Sequence, residues 1–193
     1  LAASLAASVA QDFSDCALIS QTAISNGGGG GGGACDTSRQ SEASEGSGYT
    51  VGFSTVYTYL ASKITAAASY DACQLQVPLQ RVGSPTFTMT FEVWSHDAGN
   101  DQPDALVGSG DTLDAASVST DEATYSLDVS ASLSSGATYW LLVRCDPVGD
   151  AGNHIVWMRQ AAGAVELIKH STDTSTWSTT SSTRCLAYNL FSQ

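Results

Sequence analysis

Residues 86–94 read TFTMTFEVW, with Phe87, Met89, Phe91 and Val93 on one side of an extended chain and Thr88, Thr90 and Glu92 on the other. A period of two is the pattern of a strand with one buried face, because successive side chains leave a pleated backbone in opposite directions. A helix would scatter those four apolar residues around its circumference. The alternation recurs in CQLQVPLQRV (73–82), which groups Cys73, Leu75, Val77 and Leu79, and in ATYSLDVS (123–130), which groups Tyr125, Leu127 and Val129. ATYWLLVRC (137–145) is apolar on both sides at first and predicts a central strand. Pro78 predicts an edge or a bulge, since proline has no N–H for a ladder. HIVWMRQ, AVELIKH and RCLAYNLF add three more runs, while ALVGSGDTLDAASVS and YLASKITAAAS are ambiguous.

Turn signals separate these runs: Val82-Gly83-Ser84-Pro85, Ala98-Gly99-Asn100, Ser134-Ser135-Gly136 and Asp150-Ala151-Gly152-Asn153. Short strands at this spacing, without a convincing amphipathic helix, predict an all-β antiparallel sandwich over 49–193, with a small barrel as the alternative.

Residues 1–48 have a different texture and predict an arm. The opening LAASLAASVAQ reads as a short helix or arm, or as the tail of a signal peptide with Ser8-Val9-Ala10 as its cleavage motif. Gly27, Gly28, Gly29, Gly30, Gly31, Gly32 and Gly33 follow without interruption. Ordering seven such residues costs on the order of 7–14 kcal/mol of backbone entropy. A flexible linker is the plain reading. The alternative is an assembly arm clamped between subunits, where bare backbones approach closely and pair their N–H and C=O groups. The assembly arm is the expectation carried forward.

The chain has 7 Lys+Arg against 19 Asp+Glu, a net charge of −12, and its lysines are Lys63 and Lys169 alone. That balance speaks against nucleic acid and against an anionic membrane surface, both of which need a basic face. Five cysteines, Cys16, Cys35, Cys73, Cys145 and Cys185, form no CxxC pair, so a zinc knuckle is not expected. Cys16 and Cys35 flank the glycine run and could close it into a loop. Cys73 and Cys145, within apolar strand patterns, read as buried thiols.

One stretch, ASKITAAASYDACQLQVPLQRVGSPTFTMTFEVWSHDAGNDQPDALVGSG, followed by LSSGATYWLLV, resembles the choice-of-anchor R domain. The matching pieces are an opening strand ended by VGSPT, a strand end F-x-V-W-S-x-D-x-G, a small-residue link carrying Leu106, and the strand G-A-T-Y-W-L-L-V. The resemblance covers roughly Tyr49 to Phe191. It implies a jelly-roll-like sandwich used for display or adhesion, as in phage virion and tail proteins and bacterial surface proteins. Cell-anchored relatives carry a C-terminal sorting signal; CLAYNLFSQ looks like a last strand, which favours the particle version.

Catalytic constellations are sparse. His96, His154 and His170 fall at strand ends or loops and read as solvated; there is no G-x-S-x-G elbow and no P-loop. Glu92 and Glu166 read as solvent-facing. Calcium is the better chemical candidate: HDAGNDQPD offers Asp97, Asn100, Asp101 and Asp104, and DPVGDAGN offers Asp146, Asp150 and Asn153, although neither has EF-hand spacing. Trp94, Trp140 and Trp157 read as core, and Trp177, in a polar loop, as the exposed tryptophan that could contact a glycan.

The expectation is a non-enzymatic structural protein on the surface of a phage-like particle, as a decoration, fibre or tail component. Its partners would be copies of itself and other particle proteins. The alternatives are an extracellular or cell-surface carbohydrate-binding module, with surface glycans as partners, and an acidic filament subunit with calcium as its cofactor.

Overall fold

The computed structural model describes residues 35–44, 46–160, 167–182 and 184–193. Gly27–Gly33, Cys16 and the alanine-rich opening lie outside the described residues, as does Glu166. The strands are β1 (Thr37–Glu42), β2 (Gly48–Val51), β3 (Tyr59–Thr65), β4 (Tyr70–Val82), β5 (Thr88–Asp97) and β6 (Gln102–Asp114), followed by β7 (Ala123–Leu133), β8 (Thr138–Asp146), β9 (His154–Met158), β10 (Ile168–Ser171), β11 (Trp177–Ser181) and β12 (Tyr188–Ser192). Among the described residues there is no α-helix; Thr55–Tyr57 and Ala115–Ser117 are single 3-10 turns.

The strands form one curled antiparallel sheet in the order β1-β12-β4-β7-β6-β5-β8-β3-β10-β11, with β9 pairing β4 and β2 pairing β9. The curl brings two layers face to face, as in a sandwich. One layer contributes Leu75, Val77, Leu79, Leu127, Val129 and Leu190 to the common core, and the other Leu60, Ile64, Met89, Phe91, Val93, Leu141 and Val143. Phe91 and Trp157 meet edge to face across the layers at 5.6 Å. The Trp157 indole N–H donates to the Ala187 carbonyl at 2.8 Å, so the buried ring keeps no orphan donor.

The layers join where β6 meets β7 at the Gly110–Val129 pair. Glycine is required here for space: a Cβ on Gly108 would stand 2.0 Å from the Ser130 carbonyl oxygen, and one on Gly110 2.9 Å from that of Phe91. The segment ALVGSGDTLD therefore resolves as a strand at a corner, and YLASKIT as β3 beside β8.

β8 is central, between β5 and β3, as its two-sided apolar pattern predicts. Pro78 is not on an edge: β4 is interior, and Pro78 sits where its partner on one side changes from β12, paired up to Gln76, to β9, paired from Leu79.

Part of the expected 1–48 arm belongs to the sandwich. β1 pairs with β12 and β2 with β9, and Cys35 is disulfide-bonded to Cys73. Cys73 is therefore not a buried thiol. A β-bulge between Ala72 and Gln74 shifts the phase of β4, which buries Ala72 and Leu75 and turns Cys73 outward. Cys145 and Cys185 are buried; burial pushes the Cys145 thiol up, and the Cys185 thiol donates to Gln160 Oε1 at 2.8 Å.

Candidate functional site

A strand apolar on both faces needs cover on both. On β8, Tyr139, Leu141, Val143 and Cys145 enter the common core, which leaves Trp140, Leu142 and Arg144 on the outer face. Trp140 and Leu142 are nonetheless 0% exposed. They form a second apolar cluster with Ala61 and Trp177, against which Tyr59, Trp94 and Leu167 pack. Register builds it: Trp140 lies between Trp94 and Lys63, Leu142 between Glu92 and Ala61, and Arg144 between Thr90 and Tyr59. Ala61 is followed by Lys169, and Tyr59 by Ser171 and then Trp177.

Polar groups rim this cluster. Lys63 Nζ pairs with Asp101 Oδ1 at 2.7 Å, and His96 Nε2 lies 3.7 Å from the same oxygen. The Trp140 indole donates to His96 Nδ1 at 3.2 Å. Lys169 Nζ donates to the Asn100 carbonyl at 3.4 Å, and the Trp94 indole to Glu92 Oε2 at 2.7 Å. Burial lowers the Lys169 pKa, and burial together with the Lys63 charge lowers that of His96 against the pull of Asp101 and Asp97. Both lysines of the chain and one of its five arginines thus sit on one face of a molecule with net charge −12. The Arg144 side chain donates to no described residue, and its Nε is closed off from solvent without a partner.

No family model, curated protein or solved structure matches this chain.

The expected calcium residues do not converge. Asp97 caps its own turn, accepting from the Asn100 side chain at 2.6 Å and from the Gly99 N–H at 2.8 Å, and these bonds hold its carboxyl below the usual range. Asp101, at φ 51°, turns to Lys63, while Asp104 accepts from Ser95 at 3.3 Å. In the second loop Asp150 accepts from the Asn153 side chain and the Gly152 N–H. Among the described residues no three His, Cys, Asp or Glu side chains are grouped as a metal site requires. Short-range Asx turns occupy Asp97 and Asp150.

Trp177 is not the exposed platform expected of it. It is 9% exposed, meets Tyr59 edge to face at 6.3 Å, and donates its indole N–H to the Thr174 carbonyl at 2.9 Å. Glu92 is not solvent-facing either: the outer cluster buries it to 9% exposure beside Trp94. None of the histidines is solvated: His154 is buried, and His96 and His170 are half-buried. His154 packs against Phe53 at 5.2 Å and His170 against Tyr57 at 4.6 Å, and burial lowers the pKa of each. His170 Nδ1 contacts Thr180 Oγ1 at 2.7 Å, but no described carboxylate pairs with His170 to orient it.

Sequence reading passed over Tyr59, Lys63, Arg144 and Lys169 as site residues. The signal was available in the second phase of β8, since Trp140, Leu142 and Arg144 share one face at spacing two.

Proposed function

We propose that this chain is a non-enzymatic structural module of a phage-like particle, displayed outward and held by the residues that precede Cys35. The observation that carries this reading is the Cys35–Cys73 bridge beside the β1–β12 pairing. Together they tie Cys35 and β1 to the body of the sandwich. A pull on that segment is borne by a covalent bond to an interior strand instead of by an edge strand alone. The resemblance to display and adhesion sandwiches supports the same reading, and so does a net charge that keeps exposed surfaces apart.

Sedimentation velocity on the full chain and on residues 35–193 tests it. The full chain is expected to form a multimer, and the shortened chain, with its bridge intact, to be a monomer of unchanged melting temperature. A full chain that stays monomeric would sink the assembly role of the N-terminal segment.

A second reading, a glycan-binding or adhesion module, draws on the outer face of β3, β5 and β8. Half-buried Tyr59 and Trp94 there stand beside Lys63 and Arg144 in an otherwise acidic molecule. Aromatic rings with a few fixed polar groups are the usual lining of sugar-sized sites.

A further inference from the structure

We propose that Arg144 is the anchor for the carboxylate of an acidic sugar, with the ring of Tyr59 as the surface on which that sugar rests. This inference rests on the glycan-binding reading and names its ligand class.

The guanidinium carries its charge at every pH relevant to a protein and offers five donors with no acceptor. Arg144 uses none of these donors within the described molecule, and its Nε is shut off from water with no acceptor in reach. A buried donor left unpaired is uncommon and calls for an explanation. It is more unusual in a chain with 19 acidic residues, any of which could have been positioned to pair with it. The other cations of this face behave differently: Lys63 is held by Asp101 and Lys169 by the Asn100 carbonyl.

The surroundings of Arg144 select the ligand. Tyr59 is directly opposite on β3 and Thr90 directly opposite on β5, so an aromatic and two hydroxyl-bearing residues flank Arg144 in the sheet. Trp177 packs edge to face against Tyr59 at 6.3 Å, while buried Leu142 occupies the next position along the face. A guanidinium fork grips a carboxylate through two parallel bonds, and an aromatic ring with flanking hydroxyls suits the C–H face and hydroxyls of a pyranose. Net charge limits the ligand further. A molecule at −12 repels a polyanion, but one carboxylate beside an arginine is governed by that arginine once salt screens charges beyond about 8 Å. The ligand class is therefore a saccharide ending in a single uronic or sialic acid.

The test is a titration of the full chain, followed through the Arg144 Nε–H resonance, at physiological ionic strength. The probes are methyl β-D-glucuronide, N-acetylneuraminic acid, neutral methyl β-D-glucoside and N-acetyl-aspartate. At least one acidic sugar is expected to move the resonance to saturation. Arg144→Gln is expected to weaken that binding at least tenfold, and Arg144→Lys to restore only part of it. The Arg144→Gln variant should melt no lower than the parent, because it removes an unpaired charge; a lower melting temperature would mark Arg144 as a structural residue and overturn the proposal. Equal binding of glucoside and glucuronide, unchanged in Arg144→Gln, would leave the glycan reading standing and remove Arg144 from it. Binding of N-acetyl-aspartate as tight as that of the sugars would overturn the sugar assignment in favour of an acidic protein segment. No binding of either acidic sugar would overturn the inference outright.

Discussion

Trp140 donates its indole N–H to Nδ1 of His96 across 3.2 Å. An indole can only donate, so Nδ1 must be the accepting nitrogen and Nε2 must carry the imidazole proton, which faces Asp101 at 3.7 Å. Protonating His96 would set two N–H groups against each other at the heart of the outer cluster.

Acid is therefore expected to loosen this molecule earlier than its carboxylates alone would dictate. Burial lowers the pKa of His96, His154 and His170 below the ordinary value of 6.5. A base with a depressed folded pKa binds fewer protons folded than unfolded. Its stabilising contribution is whole above 6.5 and is lost as pH falls from there through the folded values. Calorimetry between pH 7.5 and 5 should show a falling melting temperature, with a shallower slope in His96→Gln. A flat profile across that window would contradict it.

Reduction of the Cys35–Cys73 bridge is expected to cost stability without unfolding the sandwich. The bridge spans a sequence separation of 38 residues, for which chain entropy predicts about 4 kcal/mol. Urea melts of Cys35→Ser against the parent would measure it, and hydrogen exchange should show β1 losing protection first.

Trp177→Ala should behave as a packing mutation. Removing a nearly buried tryptophan from the Ala61–Trp140–Leu142 cluster is expected to cost about 3 kcal/mol. A variant that kept its melting temperature would show that the ring is not part of the packing.

Two glycines separate conformational cost from collision. Gly136 sits at φ +75° with open space around it, so Gly136→Ala should cost about 1–2 kcal/mol from the backbone alone. Gly108→Ala instead drives a methyl against the Ser130 carbonyl at the β6–β7 corner and is expected to cost more, with the loss of protected amides concentrated in those strands.

Period two made much of this fold legible. The alternation in 86–94 placed Phe87, Met89, Phe91 and Val93 in the core, and the doubled pattern of 137–145 placed β8 centrally. The misreadings share a cause. Alternation carries phase only while the register is regular, and one bulge beside Cys73 reversed the reading of that cysteine. The outer cluster escaped because Trp140 and Leu142 of β8 are covered by residues from β3, β5 and β11 that are distant in sequence and share no local pattern. Trp177 sits among serines and threonines, and only the distant partners Tyr59 and Trp140 explain its burial. The Asp and Asn runs were visible, but composition does not distinguish a ligand shell from side chains bonded to their own turn.

The β1–β12 pairing also imposes an order of events during synthesis. Ser38 and Asn189 share a hydrogen bond across 151 positions, so β1 waits for nearly the entire described chain to be made. Cys35 and Cys73 emerge far sooner, and an oxidising environment can join them while the place between β1 and β4 is still vacant. The strand made last then enters a slot that a covalent staple has already drawn together. Until it does, the slot is a template for any segment with the pattern of YNLFS, so a neighbouring chain's own β12 is its natural rival.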